Sequence, residues 1–228
     1  ALDYEHLLNG DIVKIDMRES YSTLPEKVAR GMADFARRGG DCDFYFKTDA
    51  DSFIRPYQLI KLLEIEEAKV LYSNTKLVAV SDVMLYIGRI WEKSKVVTDV
   101  SSQFYLGDKK VVDSIVAGDG VYQPFASGAG YILSASLVLA MTDINHPSGH
   151  GGCYTPETLL SGPEDVQIGM CVDTLKTRGG LERIKVVSAV ELQVDVCNSR
   201  TIIDNPVSSH GDYNLLQRQE AHLRGGDT

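Results

Sequence analysis

Several features are scarce or absent in this chain of 228 residues, and each absence excludes some classes of function. There is no basic excess, because 32 acidic residues outnumber 23 basic ones and the formal net charge is -9. Nucleic-acid-binding surfaces are basic, so we expect no nucleic-acid partner. The longest apolar run, Gly130–Met141, contains two serines and is too short to span a bilayer. We therefore expect a globular domain with no membrane-spanning segment among these residues.

Cysteine is also sparse. The four cysteines are Cys42, Cys153, Cys171 and Cys197, and no two have the CxxC spacing of a zinc site. Two interpretations stay open: one or two disulfides in three possible connectivities, or four buried thiols in a reducing compartment.

Strand and helix patterns alternate in the first third of the chain. Asp11–Asp16 and Cys42–Lys47 are predicted to be buried strands, and Leu24–Arg38 and Tyr57–Ala68 have the apolar spacing of helices. Such alternation indicates the α/β class, with layers around a largely parallel sheet.

The rest of the chain is less regular. Gly128–Gly130 predicts a tight turn into a strand, followed by a helix over Ser134–Met141. Glu164–Thr177 predicts an amphipathic helix and Ile184–Leu192 a strand, whereas Ser94–Val121 mixes both signals.

The segment FYFKTDADSF places carboxylates at the end of an apolar strand. Asp49 and Asp51 are two residues apart, so both can face the same side of an extended chain. Ligands bind at such strand ends, and paired carboxylates suit Mg²⁺ or Mn²⁺ shared with a phosphate. The alternative is a solvated turn in which Asp51 caps the next helix.

A second acidic pair, Glu164-Asp165, opens a predicted helix. Helix electrostatics alone favour acids in a first turn, and the functional alternative is a general base facing the same cleft. Gly128 and Gly130 either let the backbone approach a ligand or merely form a turn. His210 lies alone in a polar tail, as a surface residue or as a metal ligand.

Taken together, five blocks resemble the β-1,3-galactosyltransferase-like glycosyltransferases, the family that includes β-1,3-N-acetylglucosaminyltransferases and Fringe. In chain order the blocks are ESYSTLPEKV (Glu19–Val28), FYFKTDADSF (Phe44–Phe53), YIGR (Tyr86–Arg89), QPFASGAGYILS (Gln123–Ser134) and GPEDVQIGMC (Gly162–Cys171). The middle Asp of the family's usual triplet is replaced by Ala50, and Glu19 stands where Asp is usual.

The resemblance implies a GT-A-type, Rossmann-like fold, apparently lacking its first strand and helix. It implies inverting transfer of galactose or N-acetylglucosamine from a UDP-sugar to a glycan hydroxyl, forming a β-1,3 link with Mn²⁺ or Mg²⁺. We expect one catalytic domain over 1–228, with a nucleotide- and metal-binding part at 1–70, an acceptor-side part at 71–198 and a polar tail at 199–228. The acceptor would be a glycan, free or on a glycoprotein or glycolipid.

The resemblance also assigns residues. Asp51 and Asp49 would ligate the ion, with His210 completing the shell, and Asp165 would be the base with Glu164 beside it. The residues expected to contact the donor are Asp49, Lys47, Gly128 and Gly130.

The family works in the Golgi lumen as type II membrane proteins, a setting that favours disulfides, and Cys171 falls where the family carries a cysteine. Two rival functions stay open. Ala50 favours a non-catalytic chaperone or glycan-binding module of the same fold. A glycoside hydrolase could instead use Asp51 and Asp165 as its acid pair, without nucleotide or metal.

Overall fold

The computed structural model describes residues 2–38, 42–50, 52–73, 84–145, 151–178, 181, 184–189, 192–193 and 208–210. Its helices are α1 (Leu2–Asn9), α2 (Leu24–Arg38), α3 (Pro56–Ser73), α4 (Lys109–Ala117), α5 (Ala135–Thr142) and α6 (Glu164–Thr177), with a 3-10 turn at Tyr21–Thr23 before α2. Its strands are β1 (Phe44–Thr48), β2 (Ser52–Ile54), β3 (Met84–Trp91), β4 (Phe125–Ser134), β5 (Ile184–Ser188), β6 (Leu192–Gln193) and β7 (Ser208–His210).

A four-stranded sheet in the order β1-β4-β3-β5 forms the centre of the fold. The long strand β4 runs antiparallel to both β1 and β3, and β3 and β5 are parallel. The prediction of a largely parallel sheet was therefore wrong, and the sheet is mixed. Pairing direction depends on how distant strands meet, which apolar spacing within one strand does not encode. A smaller sheet in the order β2-β7-β6 lies beside the end of β1.

Helices cover both faces of the main sheet. Side chains alternate along each strand, so Tyr131 and Leu133 pack with α2, α5 and α6 in one core cluster. Ile132, which lies between them, packs on the other face with residues of α3. This helix–sheet–helix layering agrees with the α/β class expected from the sequence.

The predicted helices are largely confirmed. α2 and α6 have the predicted bounds, and α3 and α5 differ from theirs by a few residues at their ends. No described helix is long and apolar enough to cross a bilayer.

Two local predictions were wrong. Asp11–Asp16 is not a strand, because it pairs with no strand among the described residues and its side chains are exposed or half-exposed. Gly128–Gly130 is not a tight turn but part of β4. A different glycine, Gly88 of β3, allows the close contact between β3 and β4. A Cβ on Gly88 would lie 2.5 Å from the Cβ of Ala126 in β4.

Candidate active site

Strand β1 carries a buried lysine to the rim of the sheet. Lys47 pairs with Tyr131 of β4, and its side chain is 7% exposed. Its ammonium lies 2.7 Å from Oδ1 of Asp49 and also donates a hydrogen bond to the carbonyl oxygen of Gly128. The cation therefore offsets the desolvation of the acidic loop that follows β1. Contact of Lys47 with a nucleotide stays a prediction.

The carboxylate of Asp165 is held between α6 and β4. Its Oδ2 accepts a hydrogen bond from the backbone N–H of Gly128 over 3.0 Å, and its Oδ1 accepts one from Val166 over 2.9 Å. Burial raises the pKa of the Asp165 carboxyl, while the N–H groups of Val166 and Gly128, and then Lys47, act in the lowering direction. The net shift is upward, which makes this carboxylate a better proton acceptor than an ordinary aspartate.

Gly128 supplies the space that Asp165 occupies. A Cβ at this position would lie 3.2 Å from Oδ2 of Asp165, so a larger residue would press on the carboxylate. The close backbone approach expected of this glycine is thus made to Asp165. Gly130 lies opposite Thr48 across the β1–β4 pair. A contact of either glycine with a donor sugar stays a prediction.

Glu164 is enclosed in the protein, unlike its neighbour in sequence. It is 3% exposed, and its Oε1 accepts a hydrogen bond from the Tyr131 hydroxyl over 2.8 Å. The same oxygen lies 3.7 Å from Nζ of Lys47. Burial raises the pKa of Glu164 to about 7, and Lys47 opposes that rise. Asp165 keeps some exposed surface, so the structure separates the two acids into a buried one and an accessible one.

The proposed metal ligands are described only in part. Asp49 presents a carboxylate that is 33% exposed, and carboxylate oxygens suit Mg²⁺ or Mn²⁺. The backbone of His210 in β7 pairs with Ser52, the residue after Asp51. Asp51 itself lies outside the described residues, and only the backbone of His210 is described. Within the described part of the chain no group of three His, Cys, Asp or Glu residues could hold a metal ion, so these three ligands stay a prediction.

Two tyrosines lie near these acids, and the sequence analysis predicted no contact between them and the acids. Tyr131 is fully buried and donates to Glu164. A tyrosine inside an apolar strand needs a partner for its hydroxyl, and this was the available signal. Tyr21, in the turn before α2, has a pKa raised by burial and then by the charges of Asp165, Glu164 and Asp49. Nothing in the sequence around Tyr21 indicates that proximity.

A disulfide between Cys153 and Cys171 joins the loop before α6 to α6 itself. This selects a partner for Cys171, which the sequence had left open. Cys42 is exposed and forms no disulfide with any described residue, and Cys197 lies outside the described part of the chain. The bridge restrains the helix whose first turn carries Glu164 and Asp165.

One protein-family model matches most of the chain. The family model described as "Galactosyltransferase" matches residues 2–178, which include β1, β4 and the first turn of α6. The chain therefore belongs to the galactosyltransferase family.

Curated relatives have low sequence identity to this chain, but their alignments cover most of it. The human protein UDP-GalNAc:beta-1,3-N-acetylgalactosaminyltransferase 1 is 28% identical over 213 residues, covering 92% of this chain and 54% of its own length. A rat protein, UDP-GlcNAc:betaGal beta-1,3-N-acetylglucosaminyltransferase 7, is 25% identical over 174 residues, or 76% of this chain and 36% of its own. The chain thus spans about half the length, or less, of these relatives.

Proposed function

We propose that the protein is an inverting glycosyltransferase of the GT-A type that uses a UDP-sugar donor. It transfers the sugar to a hydroxyl of a glycan and forms a β-1,3 link. Family membership and the names of the relatives, which specify UDP-GalNAc or UDP-GlcNAc and β-1,3 transfer, support this class. The candidate donors are UDP-galactose, UDP-N-acetylglucosamine and UDP-N-acetylgalactosamine.

The position of Asp165 is the observation that carries the proposal. Its carboxylate is oriented by two backbone N–H groups, and the residue is half-buried. As the acceptor hydroxyl attacks the anomeric carbon, Asp165 takes up its proton. Attack from the face opposite the departing UDP inverts the configuration of that carbon.

A divalent ion fits the proposed donor side. Asp49, Asp51 and His210 would hold Mn²⁺ or Mg²⁺, which supplies positive charge for the diphosphate leaving group. Lys47 positions Asp49 through a contact of 2.7 Å. Glu164 is buried 3.7 Å from Nζ of Lys47, so its role is to hold Lys47 rather than to accept the substrate proton.

We place the protein in the lumen of the secretory pathway, in the Golgi, anchored there as a type II membrane protein. The Cys153–Cys171 bridge supports this location, because disulfides persist in oxidising compartments.

The test is a donor screen with a glycan acceptor. Each of the three UDP-sugars is incubated with a galactoside or N-acetylhexosaminide acceptor and Mn²⁺, and released UDP is measured. NMR of the product then gives the linkage and the anomeric configuration. Calorimetry of UDP with Mn²⁺, repeated in EDTA, tests the metal requirement. Absence of both UDP binding and transfer with every donor would contradict the proposal.

A non-catalytic member of the same fold is the second candidate. The exposed residue Ala50 favours it, since one carboxylate of the family's usual triplet is missing at this position. A glycan-binding module would bind saccharides without consuming any UDP-sugar, and the donor screen separates the two functions.

A further inference from the structure

A cavity of about 330 Å³ lies between three segments of the fold. Tyr21 and Ser22 come from the turn before α2, and Ser161 and Gly162 come from the loop before α6. The loop between β3 and α4 contributes Val100, Ser102, Gln103 and Tyr105. The volume falls in the lower part of the range of roughly 300–1,000 Å³ that small-molecule sites occupy. It suits one sugar ring better than a nucleotide sugar.

The loop at 161–162 places this cavity beside the acidic pair. Ser161 accepts a hydrogen bond from the N–H of Gly107 over 2.9 Å. Gly162 has φ +112, and a Cβ there would lie 2.4 Å from the carbonyl oxygen of Tyr105. The loop is therefore packed tightly against the cavity wall, and α6 with Asp165 begins two residues later. The effect of the Asp165 charge on the pKa of Tyr21 also reflects this proximity.

The chemistry of the walls suits a neutral, polyhydroxylated ligand. The residues that line the cavity carry no formal charge and include Ser22, Ser102, Gln103 and Ser161. A diphosphate would need cations or a metal, which these walls do not offer. Hydroxyl and amide groups can instead pair with sugar hydroxyls.

Tyr21 and Tyr105 bring aromatic residues to the cavity wall, and Phe104 packs against Tyr21 from outside the lining. Tyr21 and Phe104 meet edge to face with centroids 6.1 Å apart, and they are 45% and 48% exposed. Val100, which is 73% exposed, lines the same cavity. Exposed aromatic surface next to polar groups matches a pyranose, which has one C–H face and a ring of hydroxyls.

We propose that this cavity is the acceptor subsite, in which the terminal sugar of the acceptor packs against Tyr21, whose ring is held by Phe104. The assignment rests on the proposed function, because the acceptor hydroxyl must reach Asp165. The uncharged walls assign the cavity to the acceptor rather than to the UDP-sugar.

The test compares Phe104→Ala and Tyr21→Ala with Leu139→Ala, a half-exposed apolar residue of α5 that does not line the cavity. We expect the KM for the acceptor to rise about tenfold in the two aromatic variants. UDP binding stays unchanged in both variants, and Leu139→Ala behaves like wild type. The KM for the acceptor should also rise in Phe104→Leu, which keeps apolar volume but loses the flat ring. This variant controls for a folding defect.

Saturation-transfer NMR measures saccharide binding without turnover. The two ligands are methyl β-galactoside and methyl β-N-acetylglucosaminide. Signal that is present in wild type and lost in Tyr21→Ala supports the subsite even if no UDP-sugar is consumed, in which case only the proposed transferase activity fails. An unchanged acceptor KM in both alanine variants overturns the inference. So does an equal loss of UDP binding, or a wild-type protein that binds neither saccharide.

Discussion

The backbone N–H of Gly128 donates a hydrogen bond to Oδ2 of Asp165 over 3.0 Å and so joins β4 to the first turn of α6. This bond orients the carboxylate that we propose as the base. It also places the glycine-containing segment of β4 and the acidic pair of α6 in one site, although 37 residues separate them in the chain.

Gly128→Ala tests whether that contact matters for turnover. The added Cβ would lie 3.2 Å from Oδ2 of Asp165 and displace the carboxylate. We expect kcat to fall about tenfold or more, because small misplacements of a reacting group are costly. UDP binding changes little. The control is Gly118→Ala, where the Cβ would lie 3.4 Å from the carbonyl oxygen of Ile115. A variant at Gly128 with the kcat of wild type would contradict the positioning role.

Asp165→Asn tests the base directly. The amide keeps the size of the side chain but accepts no proton, so kcat should fall by a factor of roughly 10² to 10⁴. Calorimetric UDP binding with Mn²⁺ stays near the wild-type value. If binding were lost together with turnover, Asp165 would belong to the donor site and not to the proton transfer.

Glu164→Gln tests the buried acid through the pH dependence of stability. The folded pKa of Glu164 is about 7, above the ordinary glutamate value of 4.5. The folded state therefore holds a proton that the unfolded state has released between these pH values. The free energy of unfolding therefore falls as pH rises through this window, by about 3 kcal/mol at most. Glutamine removes that contribution.

The measurement for Glu164 is urea unfolding at several pH values from 5 to 8. We expect the difference between Glu164→Gln and wild type to shift in favour of the variant as pH rises. Glu92→Gln, at an exposed position at the end of β3, serves as the control and should follow the wild-type pH dependence. Parallel curves for wild type and Glu164→Gln would show that Glu164 is ionised in the folded protein throughout this window.

A double-mutant cycle tests the coupling between Lys47 and Glu164. Lys47→Met removes the cation that lies 3.7 Å from Glu164 Oε1 and leaves the buried acid without its cationic partner. We expect this variant to lose about 3 kcal/mol of unfolding free energy. In the double variant Lys47→Met/Glu164→Gln the loss should be smaller than the sum of the single effects, because each residue is the other's partner. Additive effects would mean that the two groups do not interact.

Reduction tests the bridge between Cys153 and Cys171. The two residues are 18 apart in sequence, and opening a loop of this size lowers stability by about 3 kcal/mol. Dithiothreitol should therefore reduce the unfolding midpoint of wild type. Cys153→Ser should start from the lower midpoint and show no further change on reduction. Equal sensitivity of the two proteins would mean that another disulfide accounts for the effect.

Local features of the fold could be predicted from the sequence because they depend on neighbouring residues. The helix over Leu24–Arg38 and the helix that begins at Glu164 were both found from apolar spacing and end signals. The glycines of QPFASGAGYILS were misassigned to a turn, since a glycine that makes room for a side chain of another element, as Gly128 does for Asp165, has the same sequence pattern as a turn glycine. The sequence also placed Asp49 and Lys47 at a strand end, where the structure has them.

By itself, the sequence determined the family blocks, the α/β class and the set of acids from which a base had to come, because residue type and local spacing carry that information. Only the tertiary structure decided that β4 runs antiparallel to its neighbours and that Cys153 is the partner of Cys171. It also separated two adjacent acids: Glu164 is enclosed by Tyr131 and Lys47, whereas Asp165 stays accessible. Burial and pKa depend on groups brought together from distant parts of the chain, and one-dimensional spacing does not contain those contacts.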